Sequence, residues 1–359
     1  MAESLETVAS APAPAPALQP APKQRDPWFD NIKMTLVTLV VVGHSWTMLP
    51  DSLAKGWLYD FLYAWHVPAF VVITGYLSKS FRWTPEKLWS LVKTVAVPYV
   101  VFEAALAAFR HQFLGVRFDD LFTDPHWPMW YLSALFFWRL MTPIFLRLPA
   151  KVAIATLISL AAGLWAGDIF DMARIFGLLP FFVLGLKMHE GHWNLLRAKA
   201  ARYYAVAGLL AIFALSRFTN SWIETEWLYY RSRYDVLDPD DLRAALIRMV
   251  LILVGLVGAY AVFALIPRTK GWFTTMGAAT LVVYLFHGFP ILTARALGYP
   301  GWAADHLWLA LPITTVAALV VALALAWPPV SRRLKVVVDP IGAWERWVRR
   351  RRGQDPTSA

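Results

Sequence analysis

The sequence predicts an all-α integral membrane protein of about ten transmembrane helices with both termini in the cytoplasm, and three observations carry that expectation. Hydrophobic residues make up 58% of the 359 and charged residues only 16%, with a mean hydropathy of +0.48; a water-soluble domain could not cover so much apolar surface. Apolar stretches long enough to cross a hydrocarbon core of about 30 Å recur along the chain. Lys and Arg cluster in alternate connections, as retention of positive charge on the cytoplasmic side requires.

Ten spans follow in order. The first, Ile32 to Leu49, is apolar from Met34 to Gly43. Leu58 to Leu77 is interrupted by His66 and Pro68, Leu88 to Phe109 carries Lys93 and Glu103, and Met129 to Leu146 opens on aromatic residues and holds Arg139. Val152 to Ala166 and Ile175 to Met188 are the two short ones. Tyr203 to Phe218, Ala245 to Ile266, Phe273 to Leu297, with His287 and Pro290, and Leu307 to Trp327 complete the set. No internal repeat is evident, which weighs against transporter folds built from duplicated halves.

Placing the N-terminus inside puts Lys79, Arg82 and Lys87, then Arg147 and Lys151, then Lys187, Arg197, Lys199 and Arg202, then Arg268 and Lys270 on the cytoplasmic side, together with the basic tail. The net charge of +10 therefore reads as membrane topology rather than as a nucleic-acid surface, and the run Arg349 to Arg352 is expected to hold anionic lipid headgroups. Residues 1–28, in which Ala and Pro alternate from Ala11 to Pro22, are expected to be a disordered tail; 29–327 form the transmembrane domain and 328–359 a basic cytoplasmic tail. The absence of cysteine excludes disulfides, thiolate metal sites and a cysteine acyl-enzyme.

Ionisable groups inside a span are expensive and mark function by default. Lys33 and His44, eleven residues apart, are separated by about three turns or roughly 16 Å and share one helix face. A neutral imidazole at His44 suits removal of a proton from an attacking hydroxyl, and Lys33 offers a cation to a phosphate-rich ligand. Alternatively, Lys33 snorkels as an anchor and His44 bonds a neighbouring helix. His66 before Pro68 and His287 before Pro290 each adjoin a break that can line a cavity. Glu103 could orient His44, pair with Arg110, or be structural, and Arg139 and Lys93 read the same way. Trp130 and Tyr131 serve either as interface anchors or as a stacking surface for a sugar. The long connection Arg217 to Arg243 mixes carboxylates with Trp222, Trp227, Tyr229, Tyr230 and Tyr234, a composition suited to sugar or to the interface. The remaining histidines show no metal-ligand spacing, so no metal is expected.

Four motifs in order give the chain a resemblance to the acyltransferase family 3 membrane proteins, which include O-antigen and exopolysaccharide O-acetyltransferases. They are Asp30-Asn31-Ile32-Lys33, ten residues and His44-Ser45; Trp65-His66-Val67-Pro68-Ala69-Phe70 leading to Thr74-Gly75-Tyr76; Trp127-Pro128-Met129-Trp130-Tyr131-Leu132; and Tyr284-Leu285-Phe286-His287. The resemblance spans about Phe29 to Trp327 and implies ten helices, a catalytic His44, and a basic residue at Lys33, where the family usually has Arg. The family's arginine pair before a Pro-Tyr is replaced here by Lys87 and Lys93 ahead of Pro98-Tyr99. The resemblance further implies donor binding at Lys33 and Lys93, acetyl-CoA or another acyl-CoA as donor substrate with no bound cofactor, and a hydroxylated sugar or glycoconjugate as acceptor in the cytoplasmic membrane; with the residue readings above, the expected site lining is Asp30, Asn31, Ser45, His66, Glu103, Trp130, Tyr131 and His287. Ser45 beside His44 leaves open an acyl-enzyme. The rival readings are a transporter of a small polar solute and a non-catalytic scaffold.

Overall fold

The computed structural model describes residues 26–117 and 120–352, in which helices and turns account for all regular structure. The Ala/Pro-rich run lies outside the described residues. The principal helices are α1, Pro27–Trp46; α2, Leu53–Ser78, and α3, Pro85–Leu114; α4, Trp130–Arg147; and α5, Lys151–Ala162. They continue with α6, Ile169–Gly177 and Leu179–Lys187; α7, Lys199–Ser216; α8, Asp241–Leu265; α9, Trp272–Phe286 and Gly288–Ala296; and α10, Leu307–Ala326. The basic tail forms α11, Pro328–Val338, and α12, Pro340–Arg351.

Each expected apolar stretch is helical, yet the helices differ in their fitness to cross a bilayer. Among the described residues α2, α3, α8 and α10 are long and apolar enough, and α6 and α9, bent by 55° and 40°, raise the number to six if each is one span. The other four fall short in length, as α5 does at 12 residues, or in apolarity. For α1 the reason is its position: Trp28, Ile32, Met34, Val37 and Val41 are fully buried, and the helix is wrapped by α2, α9 and α10. A helix that meets protein on most sides can carry polar groups that lipid would penalise.

Proline and glycine set the remaining geometry. Pro68 has no N–H for the carbonyl of Ala64, and α2 is interrupted at Ala64 and Trp65 between its two helical parts. Pro98 likewise follows a widened π-turn, Val92–Ala96, in α3. The second half of α2 crosses the second half of α6 at two glycines. A Cβ on Gly75 would lie 2.0 Å from the Phe182 carbonyl oxygen, and one on Gly185 would lie 2.1 Å from that of Val72. Small residues let the backbones touch there, as in other membrane helix pairs.

Backbone atoms cannot yield as a side chain would, so Gly185→Ala should destabilise the protein by about 1–3 kcal/mol, the usual cost of overpacking. Gly56→Ala, where a Cβ meets nothing within 4 Å, should be neutral or slightly stabilising. Thermal midpoints of the detergent-purified variants check the contrast; equal midpoints would remove the crossing as a constraint.

Candidate active site

For neutral imidazoles, the hydrogen-bond partners fix the hydrogen positions around His44. Nδ1 of His287 lies 2.6 Å from the Tyr284 carbonyl oxygen, which can only accept, so this nitrogen carries the hydrogen. Nε2 of neutral His287 is then an acceptor, and it sits 2.8 Å from Nδ1 of His44. His44 therefore donates from Nδ1 and keeps the lone pair on Nε2, which no described hydrogen bond engages. The arrangement leaves a base with its proton-accepting nitrogen free, oriented by a third group, as in nucleophile–base–orienter systems. The ring of Trp127 packs 4.7 Å from that of His44, centre to centre.

Sequence distance hides this pair: α1 and the bend of α9 are brought together because Gly277 lets α9 start against α1. A Cβ there would fall 2.5 Å from the Asp30 carbonyl oxygen. Asn31 fixes the same junction, its amide donating to the carbonyls of Pro267 and Thr269 at 2.8 and 3.1 Å while its oxygen accepts from Thr274 at 2.8 Å.

Three spaces follow one another along α1. A cavity of about 260 Å³ is lined by Lys33, Thr74, Arg139, Tyr131 and Tyr284. A passage of about 30 Å³ bears His44, His66, Trp130, Tyr131 and Tyr284 on its walls. A larger cavity of about 390 Å³ begins at His44 and Trp130 and extends to Tyr59, Arg174, Glu226 and Tyr229. Neighbouring spaces share walls: Phe70, Tyr131 and Tyr284 belong to the first two, and His44, Val67 and Trp130 to the last two.

Lys33, Tyr131, His66, Trp130, His44 and His287 are thus gathered by the fold. Lys33 holds Asp30 at 2.8 Å. His66 donates from Nδ1 to the Leu62 carbonyl at 2.7 Å, occupying a carbonyl beside the break in α2. Tyr131 is hydrogen-bonded to Thr74. Other expected residues are engaged elsewhere. The Ser45 hydroxyl donates to the Val41 carbonyl at 2.8 Å. Lys93 reaches Glu345 of α12 at 3.0 Å, although its neighbours Thr94 and Val95 line the Lys33 cavity. Glu103, fully buried, accepts from the His126 backbone N–H at 2.9 Å and pairs with the His126 ring; Arg110 makes no ion pair with it.

One lining residue, Arg174, carries no sequence signal, and another, Arg139, stands in the sequence only as one of several intramembrane charges. Arg139 reads as a lone intramembrane charge, yet it faces the same cavity as Lys33, and no described ion pair or hydrogen bond engages its guanidinium. Arg174, paired with Asp171 and donating from Nε to the Tyr229 carbonyl at 3.1 Å, lies 5.0 Å over the Trp130 ring. In the long connection, Glu226 and Tyr229 face the cavity, whereas Trp227, Tyr230 and Tyr234 are buried. Burial pushes the Tyr229 phenol above its ordinary pKa, so it stays a neutral donor, here to the Tyr59 hydroxyl at 3.0 Å.

His44 thus stands between two cavities inside an apolar helical bundle, with one ring nitrogen bonded to His287 and the other free of described hydrogen bonds. The profile of the acyltransferase domain family, the acyltransferase 3 family, matches residues 26–328, and the chain belongs to that family: it is a multi-pass membrane acyltransferase. Comparison with curated proteins and with solved structures gives no match.

If His287 sets the tautomer of His44, His287→Ala should lower kcat for acyl transfer roughly 10- to 100-fold, part of what a positioned base supplies, with little change in donor KM. His287→Gln, whose amide oxygen can accept from Nδ1–H, should retain more activity than the alanine variant. Steady-state kinetics of both variants decide it; equal losses would leave His287 a packing residue.

Proposed function

We propose that the enzyme moves an acetyl group from acetyl-CoA to a hydroxyl of a carbohydrate or glycosylated acceptor. The donor approaches from the Lys33 end and the acceptor from the Arg174 end. The observation that carries this reading is the meeting of two differently lined cavities at His44. The Lys33 cavity offers two cations, Lys33 and Arg139, suited to the phosphates of a nucleotide-bearing thioester. The opposite cavity offers Trp130, Tyr59, Tyr229 and Glu226, a mixture of rings and hydrogen-bonding groups suited to a sugar.

In the reaction, Nε2 of His44 takes the proton of the acceptor hydroxyl as its oxygen attacks the thioester carbonyl. The carbon–sulfur bond breaks, and the proton passes on to the departing CoA thiolate. Positive charge on the imidazole is held through Nδ1–H to His287 and from there by the Tyr284 carbonyl. Direct transfer needs no enzyme nucleophile, in keeping with the Ser45 hydroxyl being spent on Val41.

Ten helices crossing the membrane with both termini inside would put Lys33 on the cytoplasmic side, where acetyl-CoA is made, and the larger cavity on the outer side of the cytoplasmic membrane. In that orientation the enzyme carries acetyl groups across the bilayer during the chemical step.

The test is release of CoA from acetyl-CoA by the purified protein, with and without hydroxylated acceptors. His44→Ala should lower the rate by about 100-fold or more, and Ser45→Ala should retain activity. A wild-type protein that releases no CoA would favour solute transport along the same path. Donor binding separates two cations: Arg139→Ala should raise the acetyl-CoA KM roughly tenfold, the effect of one lost charge-assisted contact. Lys93→Ala should leave KM within about twofold, since its partner Glu345 is a partly exposed pair of small worth. The reverse ranking would move the donor site toward α12.

A further inference from the structure

Beside the larger cavity lies another, of about 230 Å³, and the two are divided by Thr47 and Trp127, which line both. Its polar wall is basic. Arg110, near the end of α3, and Arg295, near the end of α9, both face it and stand within electrostatic reach of each other. Neither guanidinium makes an ion pair or a hydrogen bond among the described residues. Arg174, Arg231, Arg233, Arg243 and Arg346, in contrast, each pair with an aspartate. Arg110 also feels the buried carboxylate of Glu103, which makes no ion pair with it and is bonded through one oxygen to His126, another part of the cavity wall.

Two like charges held together at the edge of an apolar bundle repel each other and call for an anion. The remaining wall is apolar, with Leu106, Ile291 and Leu292. From this we infer that the cavity binds a phosphate group of the acceptor, placing the attached sugar past Trp127 against His44. Phosphate is favoured over carboxylate on charge: two guanidinium forks offset close to two negative charges, and each can engage phosphate oxygens in bidentate fashion. The inference rests on the acyltransfer reading for the role of the bound molecule and names its class, a phosphate-bearing glycoside. The phosphate is carried either by a lipid in the bilayer, for which the apolar wall is suited, or by a soluble sugar phosphate.

Native mass spectrometry of the purified full-length protein with two pairs of probes separates these sources: decaprenyl phosphate against decaprenol, and glucose 1-phosphate against glucose. In at least one pair the phosphate member should bind and its neutral counterpart should not, and the pair that responds identifies the source. Arg110→Gln and Arg295→Gln should each weaken that binding roughly tenfold, the size of one lost charge-assisted contact, and Arg295→Lys should recover part of it. Arg295 is exposed, so its variants are expected to fold as the wild type does. The inference is overturned if neither phosphate probe binds better than its neutral partner, or if both glutamine variants bind as the wild type does. Acetyl-CoA turnover by water, measured on the same preparations, reports on His44 separately. Phosphate binding without CoA release would remove the acyltransfer reading and leave the anion site standing, and CoA release without phosphate binding would do the opposite.

Discussion

The contact of His44 with His287 can exist only because α1 is buried. Lipid offers no hydrogen bonds, so an imidazole pair at membrane depth needs every polar atom answered by protein or by a cavity. Here the chain of bonds from His44 to His287 to the Tyr284 carbonyl does that, and the surrounding helices keep lipid from it. The close crossings follow from the same need. Gly277 brings α9 down onto Asp30, and Gly75 with Gly185 brings α6 onto α2, whose His66 and Val67 form part of the passage. Packing this tight at glycines is the condition for bringing residues 243 apart in sequence into hydrogen-bond range.

Much of this architecture was legible in the sequence because hydrophobic run length and charge are direct readouts of the solvent a helix meets. All ten expected stretches are helices, and Lys33, His44, His66, Trp130, Tyr131 and His287 line one path or touch a residue that does. What sequence could not supply was which polar groups the fold would already have satisfied. Asn31 sits in the most recognisable motif of the chain, yet its amide holds the loop before α9. Ser45 adjoins the base, but a hydroxyl on a helix can bond its own preceding turn, and this one does.

Lys93 shows a different limit. Lys93 lies in the π-turn Val92–Ala96, whose Thr94 and Val95 line the Lys33 cavity, but successive helical residues point about 100° apart, and sequence alone does not say which of them faces inward. The lysine meets Glu345 on α12. Arg139, about two helical turns beyond the Trp127–Leu132 motif and read from the sequence only as one of several intramembrane charges, lines the cavity instead. Intramembrane charges are costly enough that one without a described counter-ion is a stronger indicator of ligand contact than its neighbours in sequence.

The two ends of the path differ in how their charges are balanced, and that difference bears on what moves. Around the larger cavity Arg174 and Arg231 are offset by Asp171, Asp124 and Asp168, so its basic residues are already balanced by protein carboxylates. At the Lys33 end Lys33 pairs with Asp30, and Arg139, without an ion pair among the described residues, leaves positive charge on the cavity wall. Between them the passage of about 30 Å³ has room for roughly one water molecule. A path this narrow at His44 keeps the two cavities apart, so groups held in them would meet at the imidazole.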